Sequence, residues 1–149
     1  MSLEQKINQD IKAAMIAKDN ARLRGLRAVK AAILLAKTEK GHSEELTEDT
    51  EIKVLQKLVK QRKESGEIFK QQQREDLYAI EFEEQQVIEE YLPKQLDLQA
   101  IESVVKSVIE EVGASSVKDM GKVMSAVNQK LAGQADGRTI SEVVKRMLA

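Results

Sequence analysis

Asp119-Met-Gly-Lys-Val-Met-Ser-Ala-Val-Asn-Gln-Lys-Leu-Ala-Gly-Gln-Ala-Asp-Gly-Arg138 reads as one helix, a glycine-bearing turn and the entry to a second helix. Met120, Val123, Met124, Val127 and Leu131 recur at helical spacing and mark a single buried stripe. The opposite side carries Lys118, Lys122, Ser125 and Gln129, so it is cationic or neutral. Between them runs Gly121, Ser125, Asn128 and Ala132, each one turn from the last. A mid-helix glycine costs about 1 kcal/mol against alanine, so Gly121 predicts that something approaches this backbone closely. Gly133 is expected to be the left-handed residue that stops the helix. Asp136-Gly137 then forms the turn. Either Asp136 or Thr139 caps the next helix, and Thr139-Ile-Ser-Glu142 has the capping-box pattern.

Downstream, Ile140, Val143, Val144 and Met147 face inward, while Arg138, Lys145 and Arg146 face out. Upstream, Asp97 caps a helix with Ile101, Val104, Val105, Val108 and Val112 inside, and Gly113 ends it. Residues 97–149 are therefore expected to form a three-helix domain. Tyr91-Leu-Pro-Lys-Gln-Leu-Asp97 precedes it and holds the only proline of the chain. A residue before proline is pushed out of the helical region, which makes this the expected domain boundary.

Residues 1–92 are expected to form an N-terminal domain of four helices. Leu3, Ile7, Ile11 and Met15 repeat every four residues in a first helix ending near Lys18. The second helix, about residues 21–40, shows an aliphatic stripe of Leu23, Leu26, Val29, Ile33 and Leu34. Its second stripe, Ala21, Gly25, Ala28, Ala32 and Ala36, admits a close neighbour. Gly41-His42-Ser43 breaks the pattern. Thr47 caps a third helix, with Glu48, Asp49 and Glu51 at its positive end. Its stripe is Ile52, Leu55, Leu58, Val59, Arg62, Gly66 and Phe69. Arg62 within it is read as a snorkelling stem, a partner of an acidic neighbour, or an anion ligand. Gln71 to Arg74 is a corner. In the fourth helix Leu77, Ile80, Val87, Ile88 and Tyr91 share one face, and Tyr78 and Phe82 lie on another. The fold class is all-α.

Composition supports that class. The 149 residues are 42% hydrophobic, 33% charged and 3% aromatic, and they include seven glycines. Helix formers dominate. No apolar run reaches the roughly 20 residues needed to span a bilayer, and no membrane association is expected. The N-terminus lacks the apolar core of a secretory leader, so a cytoplasmic location is expected. Zero cysteines exclude disulfides and thiolate chemistry. The net charge of −1 conceals a division along the chain. Residues 1–42 carry +5, 43–96 carry −6, 97–112 carry −3 and 113–149 carry +3. Either the two kinds of segment attract each other, or the basic ends meet a polyanion.

Catalysis finds no constellation. His42 is the sole histidine and has no orienting partner in sequence. Glu44-Glu45, Glu83-Glu84, Glu89-Glu90 and Glu110-Glu111 read as solvated helix faces. No phosphate loop, dinucleotide fingerprint, nucleophile elbow or metal-binding helix occurs, so no cofactor or metal is expected. Polyanion binding is better supported. Lys118, Lys122, Lys130, Arg138, Lys145 and Arg146 surround the helix–turn–helix, and Gly133 and Gly137 would let a phosphate backbone come near. The alternative is that these cations solubilise the three helices and the glycines serve packing. Residues 92–149 hold one aromatic residue fewer than any stacking platform requires, namely none, so recognition would follow backbone shape. A second basic set, Lys12, Lys18, Arg22, Arg24, Arg27, Lys30 and Lys37, is expected to pair with the acidic third and fourth helices.

Asp119 to Met124, Lys130 to Arg138 and Val143-Val144-Lys145 resemble the YqeY group of the GatB/YqeY superfamily. Ala14 to Asp19, Arg22-Leu23, Lys60 to Ser65, Arg74 to Leu77 and Tyr91 to Leu96 extend the resemblance over nearly the whole chain. It implies an N-terminal helical domain and a three-helix domain similar to the tail of the tRNA amidotransferase B subunit, which helps hold tRNA. It also brings a glutamine-dependent carbon–nitrogen ligase label, although the catalytic and kinase-like modules of that enzyme are missing here. The function this implies is a stand-alone tRNA-binding module associated with tRNA-dependent amidation, without catalysis by this chain alone. The alternative is a protein-interaction adaptor whose acidic middle helices and Tyr78/Phe82 face dock a partner. Two positions depart from the pattern. Gln134 stands where a basic residue is expected, and Gln72-Gln73 replaces a pair of small residues.

Overall fold

The computed structural model describes residues 1–39 and 45–149; His42 and Gly41 lie outside them. Among the described residues seven α-helices follow one another: α1 Leu3–Ala17, α2 Asn20–Glu39, α3 Glu48–Gln71, α4 Glu75–Glu89, α5 Leu98–Val112, α6 Met120–Leu131 and α7 Gly137–Leu148. A 3₁₀ turn, Val117–Asp119, leads into α6. The fold is all-α, with four helices followed by three. The chain divides into two compact units, Met1–Leu92 and Pro93–Ala149.

In the first unit the helix ends are set by local chemistry. Ser2 opens α1 with a capping box, its hydroxyl accepting from the Gln5 N–H while Gln5 Oε1 accepts from the Ser2 N–H. Thr47 caps α3 by accepting from the Thr50 N–H at 3.2 Å. Gln73, at φ 58°, turns the chain between α3 and α4. Ile7, Ala14, Leu23, Leu26, Val29, Ile33, Leu55, Leu58, Val59 and Ile88 form the core.

Three apolar residues expected inside are largely outside: Met15, Leu34 and Ile80, at 55%, 46% and 41% exposure. For Met15 the reason is the helical period. A repeat of four drifts about 40° per step against 3.6 residues per turn, so by Met15 the stripe has left the core and Ala14 takes its place.

The small-residue side of α2 meets α4. A Cβ on Gly25 would lie 2.8 Å from Val87 Cβ and 3.5 Å from the Glu84 carbonyl oxygen. Gly66 of α3 likewise lets the Tyr78 ring approach, 3.3 Å from where a Cβ would be. Tyr78 and Phe82 stack with centroids 5.9 Å apart, and Lys70 Nζ lies 4.5 Å from the Tyr78 centroid.

Among the described residues, Arg22, Arg24 and Lys37 of α2 form ion pairs, with α4, the residue that follows it and α1, and none reaches α3. Arg22 meets Glu90 at 2.6 Å, Arg24 meets Glu83 at 2.9 Å, and Lys37 pairs with Glu4. Arg62 is half-buried and forms no ion pair among the described residues. Its Nη1 donates to Gln61 Oε1 at 3.4 Å, and its Nε is buried without a partner. The Glu81 carboxyl is raised above its ordinary value by burial and then by Glu84, with the Arg62 charge opposing both.

The second unit closes over Ile101, Val105, Val108, Val123, Val127, Leu131, Ala135, Ile140, Val143, Val144 and Leu148. Asp97 caps α5 by accepting from the Ala100 N–H at 2.8 Å, and Gly113, at φ 67°, ends it. Met147 is half-buried, and Leu148 completes the core instead.

Candidate nucleic-acid interface

The buried stripe of α6 is Val123, Val127 and Leu131, with Met120 and Met124 half-buried beside it. This leaves Gly121, Lys122, Ser125, Asn128, Gln129 and Ala132 exposed. No carboxylate lies within α6. A Cβ on Gly121 would meet nothing within 4 Å, so packing within the described residues does not call for this glycine. The same is true of Gly137 at the start of α7.

The six cations differ in their pairing. Lys130 reaches Glu111 of α5 at 2.8 Å, and Arg146 reaches Glu102 of α5 at 2.5 Å. Both are thereby drawn to the α5 side. Lys122 and Lys130 are separated by about 80° of rotation and about 12 Å of rise along α6. Arg138 and Lys145 stand two turns apart on the outer face of α7. Arg138 pairs with Glu142 between them at 3.3 Å, with side chains 80% and 69% exposed. Lys118 lies in the 3₁₀ turn, its N–H donating to Ser116 Oγ at 3.3 Å. Lys118, Lys122 and Lys145 make no ion pair among the described residues.

The turn between α6 and α7 differs from the expectation in three respects. Ala132 is the C-cap in the left-handed region, φ 44° and ψ 51°, and Gly133 follows at φ 86°. Two consecutive residues, rather than Gly133 alone, therefore reverse the chain. Asp136 is the N-cap of α7, its Oδ1 accepting from the Thr139 N–H at 2.7 Å. Thr139 lies inside the first turn and caps nothing, and Glu142 serves Arg138. The Asp136 carboxylate thus occupies part of the positive helix end that the sequence offers to a phosphate.

The carbonyls of the turn are also engaged. Gln95 Nε2 donates to the Gly133 carbonyl at 2.9 Å and to that of Pro93 at 2.8 Å. The Leu96 N–H donates to the Gln134 carbonyl at 2.9 Å, and Gln134 Nε2 donates to the Lys94 carbonyl at 3.2 Å. Sequence reading missed this clasp. Gln134, standing where a cation was expected, was its one visible signal.

Among the described residues no group of three His, Cys, Asp or Glu side chains could hold a metal ion. The architecture is that of a two-unit helical module in which the outer side of α6 carries Lys122 and no carboxylate. The chain belongs to the Yqey-like protein family, whose profile matches residues 4–148. It is similar to "Altered inheritance of mitochondria protein 41, mitochondrial" of Clavispora lusitaniae, 33% identical over 135 residues. The aligned region covers 88% of this chain and 77% of that protein.

That relative is named as mitochondrial, which overturns the expected cytoplasmic location. The expectation rested on the lack of an apolar leader core. Mitochondrial leaders are amphipathic and arginine-rich and have no such core, so its absence does not bear on them. No described helix is long and apolar enough to cross a membrane.

Proposed function

We propose that this chain is a stand-alone helical module that contacts tRNA through its C-terminal unit, in or alongside tRNA-dependent amidation of aminoacyl-tRNA. The supporting observation is the outer side of α6. It is exposed, free of carboxylates and open at Gly121, and Lys122 has no ion partner among the described residues. Phosphate backbones reward such a surface by counterion release, with a slope of log affinity against log salt of about −0.7 to −0.9 per contact.

Lys118 and Lys145 are the others of the six cations without an ion pair among the described residues, and on this reading they add to the phosphate contacts. Arg138 can join at little cost, because an exposed pair such as Arg138–Glu142 contributes at most about 1 kcal/mol. Lys130 and Arg146 are secondary, since each already faces a carboxylate of α5. Gly133 and Gly137 shape the turn and the first residue of α7. The family links this module to amidotransferase biology. On this reading the chain binds and does not itself ligate.

The test is titration of tRNA at stepped salt concentrations with the wild type, Lys122→Glu and Arg138→Glu. Binding should be salt-dependent and weaken in both variants, with helix content unchanged. Unaltered binding in both variants would overturn the assigned surface.

Phe82 favours a second reading. It is 40% exposed and stacks on Tyr78, an arrangement suited to docking a protein partner on α4. A protein that co-purifies with a partner, lacks RNA, and loses that partner on Phe82→Ser would support the adaptor.

A further inference from the structure

We propose that Pro93–Leu96 is a latch on the α6–α7 turn, and that Gln95 and Gln134 are positioning residues for the cationic surface. The claim about the surface rests on the tRNA reading above; the latch itself does not. Its geometry is reciprocal. The Gln95 carboxamide nitrogen has two hydrogens and two carbonyl partners, Gly133 at 2.9 Å and Pro93 at 2.8 Å. Gln134 answers from the other side, its side chain donating to Lys94 while its carbonyl accepts from the Leu96 N–H. Leu96 packs against the core of the C-terminal unit beneath these bonds. Three hydrogen bonds and one apolar anchor therefore hold the turn to a segment that lies outside all three helices, and the bond from Gln95 to the Pro93 carbonyl braces that segment itself.

The turn fixes the direction of α7 relative to α6, and hence the placement of Arg138 and Lys145 relative to Lys122. Ala132 and Gly133 both have positive φ, and the bend they make is bridged locally by the Ala132 N–H on the Asn128 carbonyl at 3.1 Å and the Gln134 N–H on the Leu131 carbonyl at 2.9 Å. The latch adds restraint from outside the bend. Residues 93–96 belong to the same compact unit as the turn they hold. Gln134 thus gives up the charge a basic residue would carry and supplies an inward donor.

The experiment uses the full chain with Gln95→Met, Gln134→Met and the double substitution. Methionine keeps the length and neutrality of glutamine and removes the donor. Amide hydrogen exchange of Leu96 should accelerate at least about tenfold, while the interior amides of Val105 and Val127 exchange as in the wild type. Affinity for tRNA should fall several-fold, and the salt slope should shrink because fewer phosphates are met at once. A mere loss of folded protein would lower affinity equally at every salt concentration and leave the slope unchanged. Unchanged Leu96 exchange in the double variant overturns the latch. Faster exchange with wild-type affinity and slope overturns the positioning role. A wild type that does not bind tRNA overturns the functional reading and the positioning role with it, while faster Leu96 exchange would still support the latch.

Discussion

The Tyr91 hydroxyl donates to Asp10 Oδ2 at 2.5 Å, joining residues 81 positions apart in the sequence. This bond fastens the turn just after α4 to the middle of α1. Arg22 completes the junction, with Nη1 on Glu90 at 2.6 Å and Nη2 on the Tyr91 hydroxyl at 3.4 Å. Lys6 Nζ lies 5.4 Å from the Tyr91 ring centroid. Two helices, α1 and α2, and the turn that follows α4 thus meet at one phenol.

Burial foremost, and then the bond to Asp10, push the Tyr91 hydroxyl well above its ordinary value. An unfolded tyrosine ionises near pH ~10. Folding therefore favours the protonated phenol, and the unfolded chain releases the proton first as pH rises. The associated stability is fully present below about pH 10 and is lost as pH climbs toward the folded value. Thermal melts at pH 8 and about 10.5 should show a steeper alkaline loss in the wild type than in Tyr91→Phe. At pH 8 that variant should be less stable by about 1 kcal/mol, the typical net worth of one hydrogen bond. Equal alkaline losses in the two proteins would remove Tyr91 as the cause.

Gly25→Ala should destabilise the first unit by about 1–3 kcal/mol, the usual cost of overpacking. The new methyl would sit 2.8 Å from a branched Cβ on a packed helix, which has little freedom to retreat. Gly66→Ala should cost less, since the Tyr78 ring at 3.3 Å can tilt away. Urea denaturation would rank the two, and a larger loss at Gly66 would contradict the packing described.

Ala132→Gly should stabilise the second unit by about 1 kcal/mol, because a left-handed backbone costs an ordinary L-residue roughly 1–2 kcal/mol. The entropy of glycine in the unfolded chain offsets part of that gain. Asp136→Ala should act in the opposite direction, losing about 0.5–2 kcal/mol of N-cap stabilisation. Both shifts can be read from the denaturation midpoint at constant slope. A destabilising Ala132→Gly would show that the C-cap geometry is not as described.

If the tail binds tRNA, charge removal should be graded by pairing. Lys122→Ala should reduce the salt slope by close to one phosphate contact, about 0.7–0.9. Lys130→Ala should reduce it by less, since Lys130 already contacts Glu111. Filter binding at three salt concentrations would distinguish them. A larger effect at Lys130 than at Lys122 would move the surface to the α5 side.

The sequence alone determined the helices, their order and most of their ends. Stripes such as Val123, Val127 and Leu131 follow from the 3.6-residue period, and caps such as Thr47, Asp97 and Gly113 act within three or four residues. Local chemistry of this kind is written in adjacent letters. Periodicity states which side of a helix is apolar but not which neighbour covers it, so Gly25 announced a close approach without naming Val87. Only the tertiary structure decided which cations α5 neutralises, that Ala14 displaces Met15 from the core, and that Gln95 and Gln134 clasp the α6–α7 turn. Those contacts join groups tens of positions apart, and their geometry exists only once the helices have packed.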